Sequence, residues 1–202
     1  MKMKALTLVL LVGSLAAVGC GKKQDDAQIA AEQAAKAMQQ MQTATTNADG
    51  TNKKPGVAVP AKTLAGFLPT SIPGYTLEGD PETMEMDMQG AKYTHAQGTY
   101  KNGDKRIQVS IFDYNYIAGL SMAYSAMLNM NLETNEESFH SEKMSGFPGW
   151  IQWKKKSNEG SIGVVVNDRI FVVTQANNGV TIDEAKNAAN AVNYSGIASA
   201  AK

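Results

Sequence analysis

The chain has little of the chemistry on which most metal and redox sites depend. Its 202 residues include one cysteine and two histidines. A single Cys excludes an intramolecular disulfide, a CxxC redox pair and a thiolate zinc cluster. The sequence also contains no P-loop, GxGxxG, GxSxG or HExxH motif. Each of those motifs supplies a specific phosphate-binding, nucleotide-binding or catalytic geometry. We therefore predict that the protein is not an enzyme.

Charge of one sign is also lacking. The 19 basic and 19 acidic groups give a formal net charge of zero. Such a balance offers no electrostatic attraction to nucleic acid, so no nucleic-acid partner is expected. The hydrophobic fraction of 43% is large enough for a folded core. The length fits one domain with an appendage.

The chain begins with a short cationic and apolar segment. Lys2 and Lys4 precede an apolar run from Ala5 to Val12, which extends weakly to Val18. This run is too short to span a bilayer core of about 30 Å comfortably. It has the form of a secretory signal peptide.

The end of this segment carries a resemblance to a known class. The run Leu15-Ala16-Ala17-Val18-Gly19-Cys20 resembles the lipobox of bacterial lipoproteins, in which small residues precede an obligatory Cys. The best-known form has Leu three residues before the Cys, where this chain has Ala17. The alternative is a cleaved signal of a soluble exported protein with a chance Cys.

The lipobox resemblance implies a defined modification and address. Cys20 would carry a diacylglycerol, and the chain would be cut between Gly19 and Cys20. The covalent lipid would be the only attached group, with no separate cofactor, and the membrane would be bound through it. Gly21 stands where Asp would favour inner-membrane retention in enteric-type bacteria. The expected location is therefore the cell envelope, at the outer membrane facing the periplasm more than at the inner membrane.

Composition divides the rest of the chain into a tether and a domain. Residues 1–19 are predicted to be the signal peptide, residues 20–61 a lipid-anchored Ala/Gln-rich helix and flexible linker, and residues 62–202 the globular domain. The tether helix is predicted from Gln28–Gln42, a stretch rich in helix formers. Thr, Asn, Gly and Pro predict a flexible linker after it.

The order of elements in the domain predicts its fold class. Alternating apolar residues, hairpin signals such as Asn102-Gly103 and β-branched runs predict strands. Helical periodicity predicts a helix over Tyr116–Met130, and a capping box at Thr181–Glu184 predicts another through about Val192. The expected fold is α+β, with an antiparallel sheet of about six to seven strands and two main helices packed on it.

One local cluster indicates an alternative function. Met84, Met86 and Met88 recur at period two, which places three thioethers on one face of a strand. Thioethers select soft ions such as Cu(I), and His95 would add a fourth ligand. The alternative function is therefore a periplasmic Cu(I)/Ag(I)-binding protein. The competing interpretation is ordinary packing, because Met fills irregular gaps and the chain has 11 Met residues.

Aromatic residues indicate a second candidate surface. Trp150 and Trp153 are three residues apart in a predicted strand, so they point to opposite faces. One is expected in the core, and the other would line a ligand surface with Tyr114 or Tyr116. The leading prediction is thus a lipid-anchored, non-catalytic binding or envelope-structural domain whose partner is an envelope protein or a small ligand.

Overall fold

The structure is a computed structural model that describes residues 57–88, 91–114 and 127–201. Cys20 and the predicted tether helix lie outside these residues. So do Tyr116 and most of the predicted helix over Tyr116–Met130. Near the end of that stretch, the Met130 N–H donates to the Met127 carbonyl at 3.2 Å, which closes a turn.

One antiparallel sheet dominates the described part of the chain. Its strands are β1 (Thr76–Leu77), β2 (Glu82–Met88), β3 (Ala91–Asn102), β4 (Lys105–Asp113), β5 (Leu132–Glu133), β6 (Glu137–Met144), β7 (Phe147–Lys154), β8 (Glu159–Val166) and β9 (Ile170–Asn177). The order across the sheet is β1-β3-β4-β9-β8-β7-β6-β5, and β2 also pairs with β3. Two meanders therefore meet where β4 pairs with β9.

Three short helices accompany the sheet in the described ranges. They are α1 (Ala61–Ala65), α2 (Ile182–Asn190) and α3 (Tyr194–Ala200). The predicted antiparallel sheet with helices is confirmed, but the described residues hold nine strands, not six to seven, and three short helices, not two main ones. Both β1 and β5 are two residues long, so they show no periodicity. α1 begins after Pro60, which offers no side-chain cap.

The predicted capping box of α2 is confirmed. The Glu184 N–H donates to Thr181 Oγ1 at 3.3 Å, and the Thr181 N–H donates to Glu184 Oε2 at 2.7 Å. These bonds satisfy two N–H groups that would otherwise lack partners at the helix start. Lys105 Nζ also donates to the Glu184 carboxylate at 2.9 Å, which ties α2 to β4.

A two-residue turn joins β6 and β7. The chain reverses at Ser145 and Gly146, whose φ angles are 51° and 87°. Two residues with positive φ fit the twist of a tight hairpin. Pro148 pairs with Lys143 of β6, whereas pairing between β7 and β8 begins one residue later at Gly149. A proline is tolerated there because it lies outside the two-sided part of the strand.

The two faces of the sheet carry different apolar clusters. The main core lies on the face that carries Ile107, Val109 and Ile111, and it includes side chains of all three described helices. We call this side the helix face. The opposite side carries a second cluster of Phe139, Trp150, Val165 and Phe171, against which Phe112, Tyr114, Met127 and Leu128 pack. We call this side the aromatic face. It includes the residues on neighbouring strands that project to the same side of the sheet as this cluster.

Candidate ligand-binding face

A continuous row of large side chains crosses the aromatic face. Met84 on β2 is opposite His95 on β3, and His95 is opposite Phe112 on β4. Phe112 is in turn opposite Phe171 on β9, which is opposite Val165 on β8. Directly opposed residues of antiparallel strands project to the same face. The row therefore links five strands from the β2 edge into the centre of the sheet.

Solvent exposure changes along this row. Phe171 is 1% exposed and Val165 is 6% exposed, so the centre of the cluster is buried. At the β2 edge, Met84 is 41% exposed and Met86 is 42% exposed. Met86 lies opposite Tyr93, the next position on the same face. Two large apolar side chains are thus partly exposed to solvent next to the aromatic residues of β3.

His95 joins the two regions. Its ring stacks on Phe112, with ring centroids 4.4 Å apart and an interplanar angle of 11°. Its Nε2 atom is buried and has no hydrogen-bond partner in the part of the chain that the structure describes. Burial lowers the pKa of His95, while the negative charge of Glu82 acts in the opposite direction. Burial therefore favours the neutral form of the imidazole.

The acidic residue between the two Met residues lies on the other side of β2. Glu85 Oε1 accepts from the Ala61 N–H at 3.0 Å, and Glu85 Oε2 is 2.6 Å from Lys92 Nζ. The hydrogen bond from Lys92 is the main reason that the pKa of Glu85 is lowered. Met84 and Met86 therefore share one face of β2, and Glu85 lies on the other. Met88 pairs with Ala91, but its side chain lies outside the description.

Trp150 lies flat over the aromatic face because its neighbour is a glycine. A Cβ atom on Gly163 would come within 2.0 Å of the Trp150 ring. The two residues are directly opposed on β7 and β8. Only a residue without a side chain fits under the indole. Sequence reasoning could not find this requirement, since it depends on the β7–β8 register.

The predicted ligand-surface residues separate between the two faces. Trp153 belongs to the main core on the helix face, and Trp150 belongs to the aromatic face. Tyr114 lies with Trp150, and its ring is 5.3 Å from the Phe171 ring, edge to face. Trp150 is 5% exposed, so it belongs to the buried part of the aromatic face.

A buried ion pair holds the first described residues against the sheet. Arg169 Nε donates to Asp113 Oδ1 at 2.9 Å, and Arg169 Nη2 donates to Asp113 Oδ2 at 2.7 Å. Oδ2 also accepts from the Val59 N–H at 2.7 Å, and Arg169 donates to the Val57 carbonyl at 2.7 Å. Thr94 Oγ1 completes the contact by donating to the Val59 carbonyl. We call residues 57–60, with the groups that bind them, the latch.

The latch was missed at the sequence level. Residues 57–60 have the composition of the linker, and Asp113 and Arg169 are 56 residues apart in the chain. No periodic pattern or motif connects an Asp at the end of one strand with an Arg in a distant turn. Their pairing follows only from the β4–β9 register, in which Asp113 is opposite Ile170.

Two carboxylates near the β7–β8 hairpin are held in ion pairs. Glu133 pairs with Lys155, and Glu136 with Lys156 at 2.6 Å, all near the β7–β8 hairpin. No group of three or more His, Cys, Asp or Glu side chains is placed to hold a metal ion within the described ranges. At the Met84–His95 edge, the thioethers of Met84 and Met86 and the imidazole of His95 share a face with the carboxylate of Glu82.

The longest helix among the described residues, α2, has nine residues. None of the described helices combines the length and hydrophobicity needed to cross a membrane. Comparison with protein-family models, curated proteins and solved structures finds no match to this chain.

Proposed function

We propose that the protein is a lipoprotein of the bacterial cell envelope whose folded domain is a non-catalytic binding module. The observation that carries the proposal is the lipobox-like run Leu15–Cys20, which ends at the only Cys of the chain. Every other residue of the 202 lacks a thiol, so thioether attachment of a lipid has one possible position. The exposed β2 edge of the aromatic face, where Met84 and Met86 are 41% and 42% exposed, supplies the binding surface of the module.

Acyl chains at Cys20 account for anchoring without further membrane contacts. Each buried methylene contributes about 0.8 kcal/mol, and two chains suffice for stable attachment. The chain from Cys20 onward has 17 basic groups, since Lys2 and Lys4 are removed, and 19 acidic groups, a formal net charge of −2. The lipid therefore anchors the protein without a polybasic attraction to anionic lipid. Gly21 in the position after the Cys supports an outer-membrane address.

The latch is consistent with a domain that is displayed on a tether. A chain that leaves a domain through weak surface contacts would detach locally from the sheet. Here Val57 and Val59 are instead bound by a carboxylate and a guanidinium that are both almost fully buried. An extended chain spans at most about 3.5 Å per residue. Residues 21–56 would thus set the reach of the domain from the leaflet.

Metabolic labelling tests the lipid attachment. The full chain is expressed in a bacterium with an outer membrane that is supplied with an alkyne analogue of palmitate. We expect label on the wild-type chain and on Ala17→Leu, which restores the best-known lipobox residue. We expect none on Cys20→Ala. Equal labelling of Cys20→Ala, or an unlabelled wild-type chain that has been exported, would reject the proposal.

A further inference from the structure

We propose that Met84, Met86 and His95 form a binding site for a soft monovalent cation, Cu(I), at the β2 edge of the aromatic face. Two thioether sulfurs and one imidazole nitrogen supply three ligands without a charged group. Cu(I) accepts such a set because it prefers soft ligands, whereas Ca²⁺, Mg²⁺ and Mn²⁺ prefer oxygen. This inference goes beyond lipid attachment and does not depend on it.

The sheet register brings the three side chains together. Met84 is directly opposite His95, and Met86 is opposite Tyr93, the neighbouring position on the same face. The Cβ atoms of directly opposed residues are about 4.5–5.5 Å apart, and diagonal neighbours are still within reach of long side chains. Methionine has three rotatable side-chain bonds, so both sulfurs can turn toward one ion beside the His95 ring.

The imidazole is held in a state suited to a ligand. Stacking on Phe112 at 4.4 Å fixes the plane of the His95 ring. Its buried Nε2 atom has no hydrogen-bond partner among the described residues. A buried polar atom without a partner costs about 1–3 kcal/mol. A metal ion bound to Nε2 in the tautomer that carries its proton on Nδ1 would remove that cost.

Exposure of the two thioethers supports access from solvent. Met84 and Met86 are each more than two-fifths exposed, although burial of a Met side chain would stabilise the fold by about 1.5–3 kcal/mol. The structure therefore does not use these side chains as core. The nearby charge of Glu82, which acts on His95, also favours a cation over an anion at this edge.

A competition titration tests the site in solution. The purified chain carries Cys20→Ala so that the thiol, itself a soft ligand, cannot contribute. Under anaerobic conditions it is titrated with Cu(I) against a chromophoric Cu(I) chelator. We expect one equivalent to bind, and the double variant Met84→Leu/Met86→Leu to weaken binding by at least about 100-fold, or about 2.7 kcal/mol. Met130→Leu is the matched control, since Met130 is 44% exposed, and it should bind as the parent does.

His95→Phe tests the nitrogen ligand separately. Phe preserves an aromatic ring over Phe112 and removes Nε2, so binding should weaken by at least about tenfold while the fold is retained. Circular dichroism confirms that each variant is folded. Absence of binding by the parent, or binding that the Met and His variants leave unchanged, would overturn the site.

Nuclear magnetic resonance assigns the ligands directly. Ag(I) serves as a redox-inert probe of the same site, and methionine ε-methyl groups are labelled with ¹³C. We expect the Met84 and Met86 methyl resonances to shift together and saturate at one equivalent. The resonances of Met130 and of the core residue Met144 should stay in place. Shifts spread evenly over all methionines would show nonspecific binding and would also overturn the site.

Discussion

Asp113 and Arg169 form a bidentate ion pair inside the domain, with Asp113 fully buried and Arg169 3% exposed. The carboxylate oxygen that accepts from Arg169 Nη2 at 2.7 Å also accepts from the Val59 N–H. Desolvation of two charges is expensive, and such a pair is tolerated only when its remaining hydrogen-bonding groups are satisfied. The backbone of residues 57–60 provides two of those bonds. The latch therefore binds residues 57–60 to β4 and to the turn before β9, two strands in the middle of the sheet order.

Breaking the latch should strongly destabilise the domain. Asp113→Asn keeps the side-chain size but removes the carboxylate charge that the buried Arg169 guanidinium contacts with two hydrogen bonds. We expect the free energy of unfolding to fall by about 3–5 kcal/mol. The measurement is urea unfolding of the purified chain carrying Cys20→Ala.

The control for this change is an ion pair on the surface. Glu133→Gln removes the partner of Lys155, and the Glu133 side chain is 69% exposed. Exposed pairs contribute about 0–1 kcal/mol. A loss in Asp113→Asn no larger than the loss in Glu133→Gln would show that the latch does not stabilise the fold.

The capping box should give the domain an acid-sensitive component. The hydrogen bond from the Thr181 N–H, together with the hydrogen bond and positive charge of Lys105, lowers the pKa of Glu184 to about 2. Because the folded-state pKa is lower than the unfolded value, this contribution is complete above pH about 4.5 and is lost as the pH falls toward 2. Glu184→Gln should reduce stability by about 1 kcal/mol at pH 7. The difference from the parent, measured by urea unfolding at several pH values, should shrink between pH 4.5 and 2. A difference independent of pH would contradict this assignment.

A methyl group beneath Trp150 should disturb the aromatic face. Gly163→Ala places a Cβ atom 2.0 Å from the indole, so the ring or the strand must move. We expect a loss of about 1–3 kcal/mol, typical of overpacking, and a change in tryptophan fluorescence. Ser161→Ala, two residues earlier on β8, is the control and should change stability by less than about 0.5 kcal/mol. Equal stability of the two variants would indicate that the indole does not occupy this position.

The residue after Cys20 should decide the membrane to which the protein is delivered. In an enteric-type host we expect the wild-type chain in the outer-membrane fraction and Gly21→Asp in the inner-membrane fraction. Gly21→Ser serves as the control and should leave the distribution unchanged. The measurement is density-gradient separation of the two membranes followed by immunoblotting. Identical distributions of all three chains would contradict the proposed sorting role of Gly21.

Sequence patterns predicted the parts of the fold that depend on local rules. The hairpin at Asn102-Gly103 joins β3 and β4, and the alternation of Ile107, Val109 and Ile111 places them in the core. These features depend on turn geometry and on the period of a strand. The capping box at Thr181 is also local, because its two partners are three residues apart.

Features that depend on strand register could not be predicted from the sequence. The contact between Trp150 and Gly163 and the pairing of Asp113 with Arg169 each require knowledge of which strands are neighbours. The Met84–His95 edge could be predicted in part. Alternation predicted a shared face for the thioethers, but the stacking of His95 on Phe112 and its unpartnered Nε2 required the three-strand arrangement β2-β3-β4.

Mass spectrometry of the mature N-terminus tests the central claim most directly. The protein is extracted from bacterial membranes, digested, and its N-terminal peptide is analysed for sequence and mass. The proposal predicts a peptide that begins at Cys20 and carries a diacylglyceryl group on the thiol. An unmodified Cys20 in a mature membrane-associated chain, or a mature chain that begins at another residue, would contradict it.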